Sequence, residues 1–458
     1  MNLSAQQMRM VVVLVIGAFL VVLNQTLLTP AYPTIMEHLS VNATTVQWLT
    51  SGYSLVEAVI IPLNAYLLGR FPSRRLILGG LGLFVVGSLV CATAPVFPVL
   101  LLGRVLQACA TGVVMPSVFA IILMIFPVDN RGTAMGVIGL VIAFAPAVGP
   151  SLSGVLVDSI GWRALFFLVA GCALLLLFAA ILFVKSTEGF APAHFDLPSV
   201  VLLALGMVAL LYGLSTFTST DNPLVSFALM AVGVAILFGF AKRQGRLAEP
   251  VLKVATLEYR QFRTAAILIL FLEAVLVGTG VIVPMYLQNA MGESATLSGL
   301  IMLPGAVVGA VCGLGAGIIF DHRGVRGITL AGAGILLVGA IGYATLSTSS
   351  SVPMICLVYS IACIGSQLLI TPLNTWGINS LPKPEIAHGN AIVSTFEQIG
   401  SSLGTAFVVS LTAVPALIGQ VASSAAEQAA AGCHWAFFGI IALVTVTALG
   451  IALFAKDK

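Results

Sequence analysis

The sequence predicts an all-α membrane protein: two six-helix bundles related by a pseudo-two-fold axis, with an inserted helix pair that brings the spans to fourteen. Composition is the first reason. Of 458 residues 8% are charged and 59% apolar, where a soluble domain carries roughly 25% charge. Apolar runs are the second, since stretches of ~20 residues, enough to cross the hydrocarbon of a bilayer, tile the chain with little left over. Basic residues are the third: of 19 Lys and Arg, only Arg163 falls on the opposite set of connections from the rest and only Arg104 falls inside a span. No room remains for a soluble catalytic domain.

The spans begin near Met10, Val46, Leu76, Val96, Thr133, Ala164, Pro198, Leu224, Thr264, Leu297, Ile328, Val352, Ala391 and Trp435. The first runs into Pro30-Ala31-Tyr32-Pro33 without a small-residue cleavage site, so it reads as a span and not as a removable signal. Arg9, the Arg70 to Arg75 loop, Arg131, Lys185, the Lys242 to Arg263 cluster, Arg323, Arg326, Lys383, Lys456 and Lys458 share one side. Positive residues resist translocation, which predicts a multi-pass protein of the inner or plasma membrane with both termini in the cytoplasm. The basic Lys242 to Arg263 connection separates eight spans from six, and the polar break Lys185 to Asp196 ends the first six. The expected division is therefore 1–184, an N-terminal bundle; 185–263, a linker with two inserted spans and a basic loop; and 264–458, a C-terminal bundle. A weak repeat agrees: Gly69-Arg70 after the second span and Gly317, Asp321, Gly324 after the tenth. The 46 glycines suit close helix approach in lipid. The seven cysteines are scattered without CxxC or His-rich metal spacing and read as packing residues.

Several motifs then occur in a specific order. Leu23-Asn24-Gln25-Thr26 leads to Pro33 in the first span, and the fourth contains Arg104-Val-Leu-Gln107, with Thr111 on the same helical face. Asp129-Asn-Arg131-Gly132 precedes the fifth span, which contains Gly136 and Gly149-Pro150-Ser-Leu-Ser153-Gly154. His194-Phe-Asp196-Leu-Pro198, Pro284-Met-Tyr-Leu-Gln288 and Leu297 to Gly305 follow. Together these resemble the major facilitator superfamily, in particular its fourteen-span drug:proton antiporter branch of the EmrB/QacA type, over nearly the whole chain. The resemblance implies the major facilitator fold, a link between Arg104 and proton translocation, and an antiporter motif at Gly136, Gly149, Pro150 and Gly154 associated with exporters. Asn24 stands where many members have Asp; its amide can hydrogen-bond a substrate but carries no proton at physiological pH. Asp129 is expected to pair with a basic residue of the Gly69 to Arg75 loop, Arg70 among them, and hold an inner gate shut. Arg131, Gly317, Asp321 and Gly324 complete the gating set.

Of 16 acidic residues, only Glu57, Glu273 and Glu397 lie within spans, and none can face lipid cheaply. Glu57 shares a face with Tyr53 and Asn64, and Glu397 with Ser394, Ser401 and Thr405; Gln367, Thr371 and Asn374 make a further polar wall. Glu273 has apolar neighbours on every side and reads either as a protonated structural group or as a third coupling group. The proton-coupling set is thus Glu57, Arg104, Glu397 and Glu273, and the substrate cavity is Asn24, Tyr53, Gln107, Gln367, Thr371, Asn374 and Ser394. Tyr53, Phe119, Phe144, Tyr286, Trp376 and Phe396 could supply an aromatic cage. A carboxyl group facing each compartment in turn binds a proton outside and loses it inside. Competition with a cationic substrate for that group couples proton influx to efflux, with ~2.3 kcal/mol per charge per 100 mV available.

The expected function is proton-coupled antiport of lipophilic or amphipathic compounds, cations included. The same fold leaves open an importer or facilitator of a defined solute, and a transporter of lipids or lipid precursors, which a lateral opening would favour. There is no GxxxxGK[ST] loop, catalytic triad or metal spacing, so neither ATP chemistry nor any enzyme activity is expected. Protons are the expected coupling ion, and no cofactor is expected. The expected partners are small lipophilic molecules and the bilayer, not nucleic acid. The chain is expected to be monomeric, with a periplasmic adaptor left open.

Overall fold

The computed structural model describes residues 4–28, 31–41, 43–187, 196–216, 223–247, 249–293, 295–418 and 424–455. His194, Lys456 and Lys458 lie outside the described residues. Among those described are fourteen long helices and no strand. The first six are α1 Ala5–Thr26, α2 Ala43–Arg70, α3 Ser73–Ala92, α4 Phe97–Ile125, α5 Arg131–Ile160 and α6 Arg163–Phe183. Two more follow, α7 Leu197–Thr216 and α8 Pro223–Gln244. The last six are α9 Arg260–Met285, α10 Ala295–Arg323, α11 Arg326–Ala344, α12 Val352–Asn379, α13 Ile386–Leu411 and α14 Ala425–Phe454. Twelve are long and apolar enough to cross a bilayer by length and composition. The other two, α5 and α13, carry the glycine motif and the Glu397 stripe.

Local chemistry explains several helix ends. Ser4 caps α1: its hydroxyl accepts from the Gln7 amide at 3.2 Å, and its own amide donates to the Gln7 side chain at 3.0 Å. Pro62, Pro116, Pro304 and Pro372 sit inside long helices, which neighbouring helices tolerate in lipid by re-satisfying the freed carbonyls. After Pro284, α9 passes into a π-helical turn at Tyr286–Ala290.

The pseudo-two-fold shows in the packing. Within α1–α6, α4 packs on α1, α2 and α3, α6 packs on α1, α3 and α5, and α1 packs on α5. Each pairing recurs when the numbers are raised by eight. The bundles meet along two seams that the same operation exchanges, α5 with α10 and α2 with α13. Helices α7 and α8 pack chiefly on one another, and α7 also reaches α2 and α13. The basic connection after α8 is strapped to the second bundle: Lys253 pairs with Glu385, and its amide donates to His388 Nδ1 at 3.2 Å.

Contact this close depends on missing side chains. A Cβ on Gly404 of α13 would stand 2.2 Å from the Ala274 carbonyl oxygen of α9, whereas one on exposed Gly334 of α11 would meet nothing within 4 Å. Gly404→Leu is expected to destabilise by about 1–3 kcal/mol through overpacking and Gly334→Leu to be neutral, read as thermal midpoints in detergent. Outside the spans, Asp196 accepts from Arg243 Nε at 2.7 Å and Nη2 at 2.9 Å, and from Ser199. The Arg243 hydrogen bonds, then that from Ser199, hold the Asp196 carboxyl well below the usual carboxylate range. The pair therefore helps join α7 to α8 above the unfolded carboxylate pKa of about 3.9, and that contribution is lost as pH falls through the lowered value. Asp196→Asn is expected to reduce hairpin stability at neutral pH and to remove part of its acid sensitivity, measured by amide exchange across α7 and α8.

Candidate functional site

Between the bundles lies a cavity of about 480 Å³. The first bundle lines it with Val22 and Gln25 of α1, Glu57 and Ile61 of α2, Met115, Pro116 and Phe119 of α4, and Met135 and Gly139 of α5. The second contributes Glu273 and Leu276 of α9, Gln367, Ile370, Thr371 and Asn374 of α12, and Ser394, Glu397, Gln398 and Ser401 of α13. All three intramembrane acids thus reach one cavity, Glu57 from one bundle and the other two from the opposite one. Among the described residues no Lys or Arg lines it.

Each acid has its own setting. Glu57 is buried and accepts from Gln25 Nε2 at 2.9 Å. The charge of Glu397 acts on Glu273, with the Ser401 hydroxyl beside Glu273 and the Ser394 hydroxyl beside Glu397. The Asn374 side-chain oxygen is a buried acceptor with no protein partner among the described residues.

Behind Glu57 sits Arg104, 1% exposed. Its Nε donates to the Leu49 carbonyl at 3.1 Å and its Nη1 to Gln107 Oε1 at 2.9 Å, and its guanidinium lies 4.3 Å from the Tyr53 ring centroid. The Tyr53 hydroxyl bonds Thr111, and Gln107 Nε2 donates to Ser88 Oγ at 2.8 Å. The predicted stripe Arg104, Gln107 and Thr111 therefore forms one network, and its charge acts on Glu57 without an ion pair among the described residues.

Three residues expected on the cavity wall lie elsewhere. Tyr53, Gln107 and Asn24 belong to the Arg104 network, where Asn24 Oδ1 is 3.4 Å from Gln107 Nε2. The turn of α1 presents the neighbouring Gln25 to the cavity instead, because consecutive helical residues point about 100° apart. Gln25 and Gln398 were not singled out as cavity residues; each adjoins one that was, Asn24 or Glu397. Of the suggested aromatic cage only Phe119 lines the cavity. Tyr286 is fully buried, its ring centroid 5.7 Å from that of Phe437.

At one end of the molecule, the basic end, the two bundles are held together. There the Asp321 carboxylate of α10 accepts from the amides of Gly132 and Thr133 at 2.8 and 2.7 Å and from the Thr133 hydroxyl at 2.7 Å. An anion on a helix N-terminus is favourable on both hydrogen-bond and dipole grounds. Arg131 Nη1 adds a bond to Asn379 Oδ1 at 3.0 Å. A Cβ on Gly317 would lie 2.0 Å from the Gly132 carbonyl oxygen, and one on Gly136 2.9 Å from the Leu314 Cα. Gly324, with φ +77°, turns the chain after α10. This corrects the expected gate: Asp129 is exposed in a 3-10 turn and Arg70 is exposed at the end of α2, with no ion pair between them. Asp321, and not Asp129, makes the contact because the α5 N-terminus faces α10 and not the Gly69 to Arg75 loop. In the antiporter motif, Gly149 packs on Thr26 of α1, a Cβ there standing 2.2 Å from Thr26 Oγ1. The Pro150 side chain and the surroundings of Gly154 lie outside what the structure describes.

Two bundles of apolar helices enclosing a polar cavity between them make a solute transporter and not an enzyme. Residues 14–405 match the Major Facilitator Superfamily, and the chain belongs to it. It is 39% identical to the uncharacterized MFS-type transporter YcnB of Bacillus subtilis, over 90% of this chain and 88% of that one. It is 30% identical to the lincomycin resistance protein LmrB of the same organism, over 89% and 85%. Among solved structures it resembles the human organic anion transporter MFSD10, with TM-score 0.67 and 14% identity over 98% of this chain and 100% of that one, which shows the shared fold.

Removing Asp321's charge should unlatch the basic end. Asp321→Asn is expected to shift the closed population by on the order of tenfold, the loss of a charge-assisted hydrogen bond. Spin-label distances between the first turn of α5 and the last turn of α10 would lengthen; unchanged distances would remove Asp321 from the gate.

Proposed function

We propose that the protein is a proton-coupled exporter of lipophilic or amphipathic compounds, cations included, working by alternating access. The observation that supports this best is the convergence of Glu57, Glu273 and Glu397 on a cavity lined by no Lys or Arg among the described residues. Such a wall attracts a cation and can exchange it for a proton. Met115, Met135 and Phe119 supply the adaptable apolar surface that a lipophilic body needs. The name of LmrB, a lincomycin resistance protein, points the same way. With the basic end placed in the cytoplasm, by the resistance of positive residues to translocation, the conformer described is the one whose bundles are held together at the cytoplasmic end. Glu57, with Arg104 behind it, is then the proton site of the first bundle. The Glu273 and Glu397 pair is the exchange site of the second.

A second reading, movement of lipids or lipid precursors, is favoured by one observation: an apolar crevice on the flank where α5 and α10 part. Transfer of fluorescent phospholipid between leaflets separates the two.

Substrate-induced proton release from reconstituted vesicles, with tetraphenylphosphonium as the probe, tests the export reading. Glu57→Gln and Glu397→Gln are each expected to cut the release rate at least about tenfold, as removal of a proton-transferring group does, and Glu273→Gln to reduce it less. Wild-type rates in all three would refute the proposal.

A further inference from the structure

At the end opposite the basic one, each bundle ties its last helix to the turn after its third, but with different chemistry. In the first, Arg163 at the start of α6 donates from Nη2 at 2.9 Å to the carbonyl of Ala94, just beyond the end of α3 at Ala92. In the second, His434 of α14 sets Nε2 2.8 Å from the carbonyl oxygen of Leu346, equally far beyond the end of α11 at Ala344. Raising the helix numbers by eight carries one contact onto the other. Each side chain also directly precedes the apolar run of its helix, which begins at Ala164 or Trp435. A guanidinium keeps its charge throughout the physiological range, whereas an imidazole gains and loses it there.

His434 has a second acceptor. Its Nδ1 lies 2.8 Å from the Ala430 carbonyl oxygen, one turn back on α14. Carbonyl oxygens only accept, and a neutral imidazole has one N–H and one bare nitrogen. Only the imidazolium, with a proton on each nitrogen, makes both bonds. The neutral ring sets a lone pair against one of the two oxygens. The Ala430 oxygen is fixed by the helix that carries the ring, so Leu346 is the partner given up. The ring is half-buried next to exposed Trp435, and Trp favours the level of the lipid head groups, where protons of that compartment reach it. Edge-on, it stands 6.1 Å from the Tyr286 ring in the π-helical turn that ends α9, the helix of Glu273. The titratable or charged groups that the surrounding elements carry at this end are Tyr286 and Glu293 after α9, Tyr343 on α11, and Glu427 and Cys433 on α14; those of α13, His388 and Glu397, lie at the Lys253 strap and the cavity. Of these end groups and His434, only the imidazole has an ordinary pKa between about 5 and 8.

We propose that His434 is a proton-operated clamp, the titratable counterpart of Arg163, which ties α14 to the turn after α11 when the compartment opposite the basic end is acidic and releases it when that compartment is alkaline. The sign follows from the two acceptors. Protonation adds a bond, so the clamp is complete on the acid side and is lost as pH rises through the range in which imidazole titrates, about 5 to 8. Its action is independent of what the cavity carries.

The test is hydrogen-exchange mass spectrometry on the full chain in phospholipid nanodiscs, from about pH 5.5 to about pH 8.5 across the imidazole range, with intrinsic exchange rates divided out. Protection of the turn 345–350 is expected to fall about tenfold with rising pH, the loss of one charge-assisted hydrogen bond, while that of the turn 93–96, held by Arg163, stays level. His434→Arg should make the 345–350 turn level at high protection and His434→Gln level at low protection. Arg163→His should transfer the pH dependence to the 93–96 turn, which keeps the test decisive should the His434 variants misfold. Wild-type protection that is level at 345–350, a parallel fall in both turns, or a pH dependence that survives in His434→Arg would overturn the proposal.

Discussion

A charge at the centre of a bilayer costs at least ~2.5 to 3.5 kcal/mol even on the lenient insertion scale, and four ionisable groups, Glu57, Arg104, Glu273 and Glu397, lie deep in these helices. The architecture depends on how that penalty is avoided. Arg104 is enclosed, its Nε bonded to a carbonyl, its Nη1 to a side-chain amide and its face set against an aromatic ring. The three acids are instead turned to a cavity. One group is fixed and three are reachable, a difference that follows from the partners each has.

Arg104 and Glu57 form the link between packing and chemistry. The guanidinium acts on Glu57 through space and is tied to Gln107, which is tied in turn to Ser88. A displacement of α4 relative to α2 would therefore change the field at Glu57. In the second bundle no cation among the described residues takes that place, and the charge of Glu397 acts on Glu273 instead. The pseudo-symmetric packing thus carries an asymmetric electrostatic design. The small residues of α5 serve two neighbours, Gly136 lying against α10 and Gly149 against α1, so motion at the seam is transmitted to the helix that carries Gln25.

Much of this was legible in the sequence because lipid permits so few backbone solutions. Fourteen apolar runs gave fourteen long helices, and three acids in apolar surroundings had to find an enclosure. Helical periodicity placed Gln367, Thr371 and Asn374 on one face of α12 and Ser394 on the Glu397 face of α13, and both faces line the cavity. It failed where a choice of about 100° decides between cavity and core, at Asn24 against Gln25, since both are amides on a polar-to-apolar boundary. The setting of Glu273 was hidden for a related reason: its sequence neighbours are apolar, and its polar partners Ser401 and Glu397 come from α13. The gate was misread because loop charges such as Asp129 can be paired with many loops on paper. What decides is which carboxylate meets a helix N-terminus, a tertiary fact that gave the role to Asp321.

The account stands on Glu57 and Glu397, from opposite bundles, opening onto one chamber from one side of the membrane. Glu57→Cys and Glu397→Cys, each in a background whose seven native cysteines are replaced, can be labelled with a membrane-impermeant maleimide from either face of sealed vesicles, with the Gly132 and Gly317 turns cross-linked shut. Both are expected to react from the face opposite the basic end and from neither the basic face nor the lipid. Labelling of the two from opposite faces, or only by a lipid-soluble reagent, would contradict it.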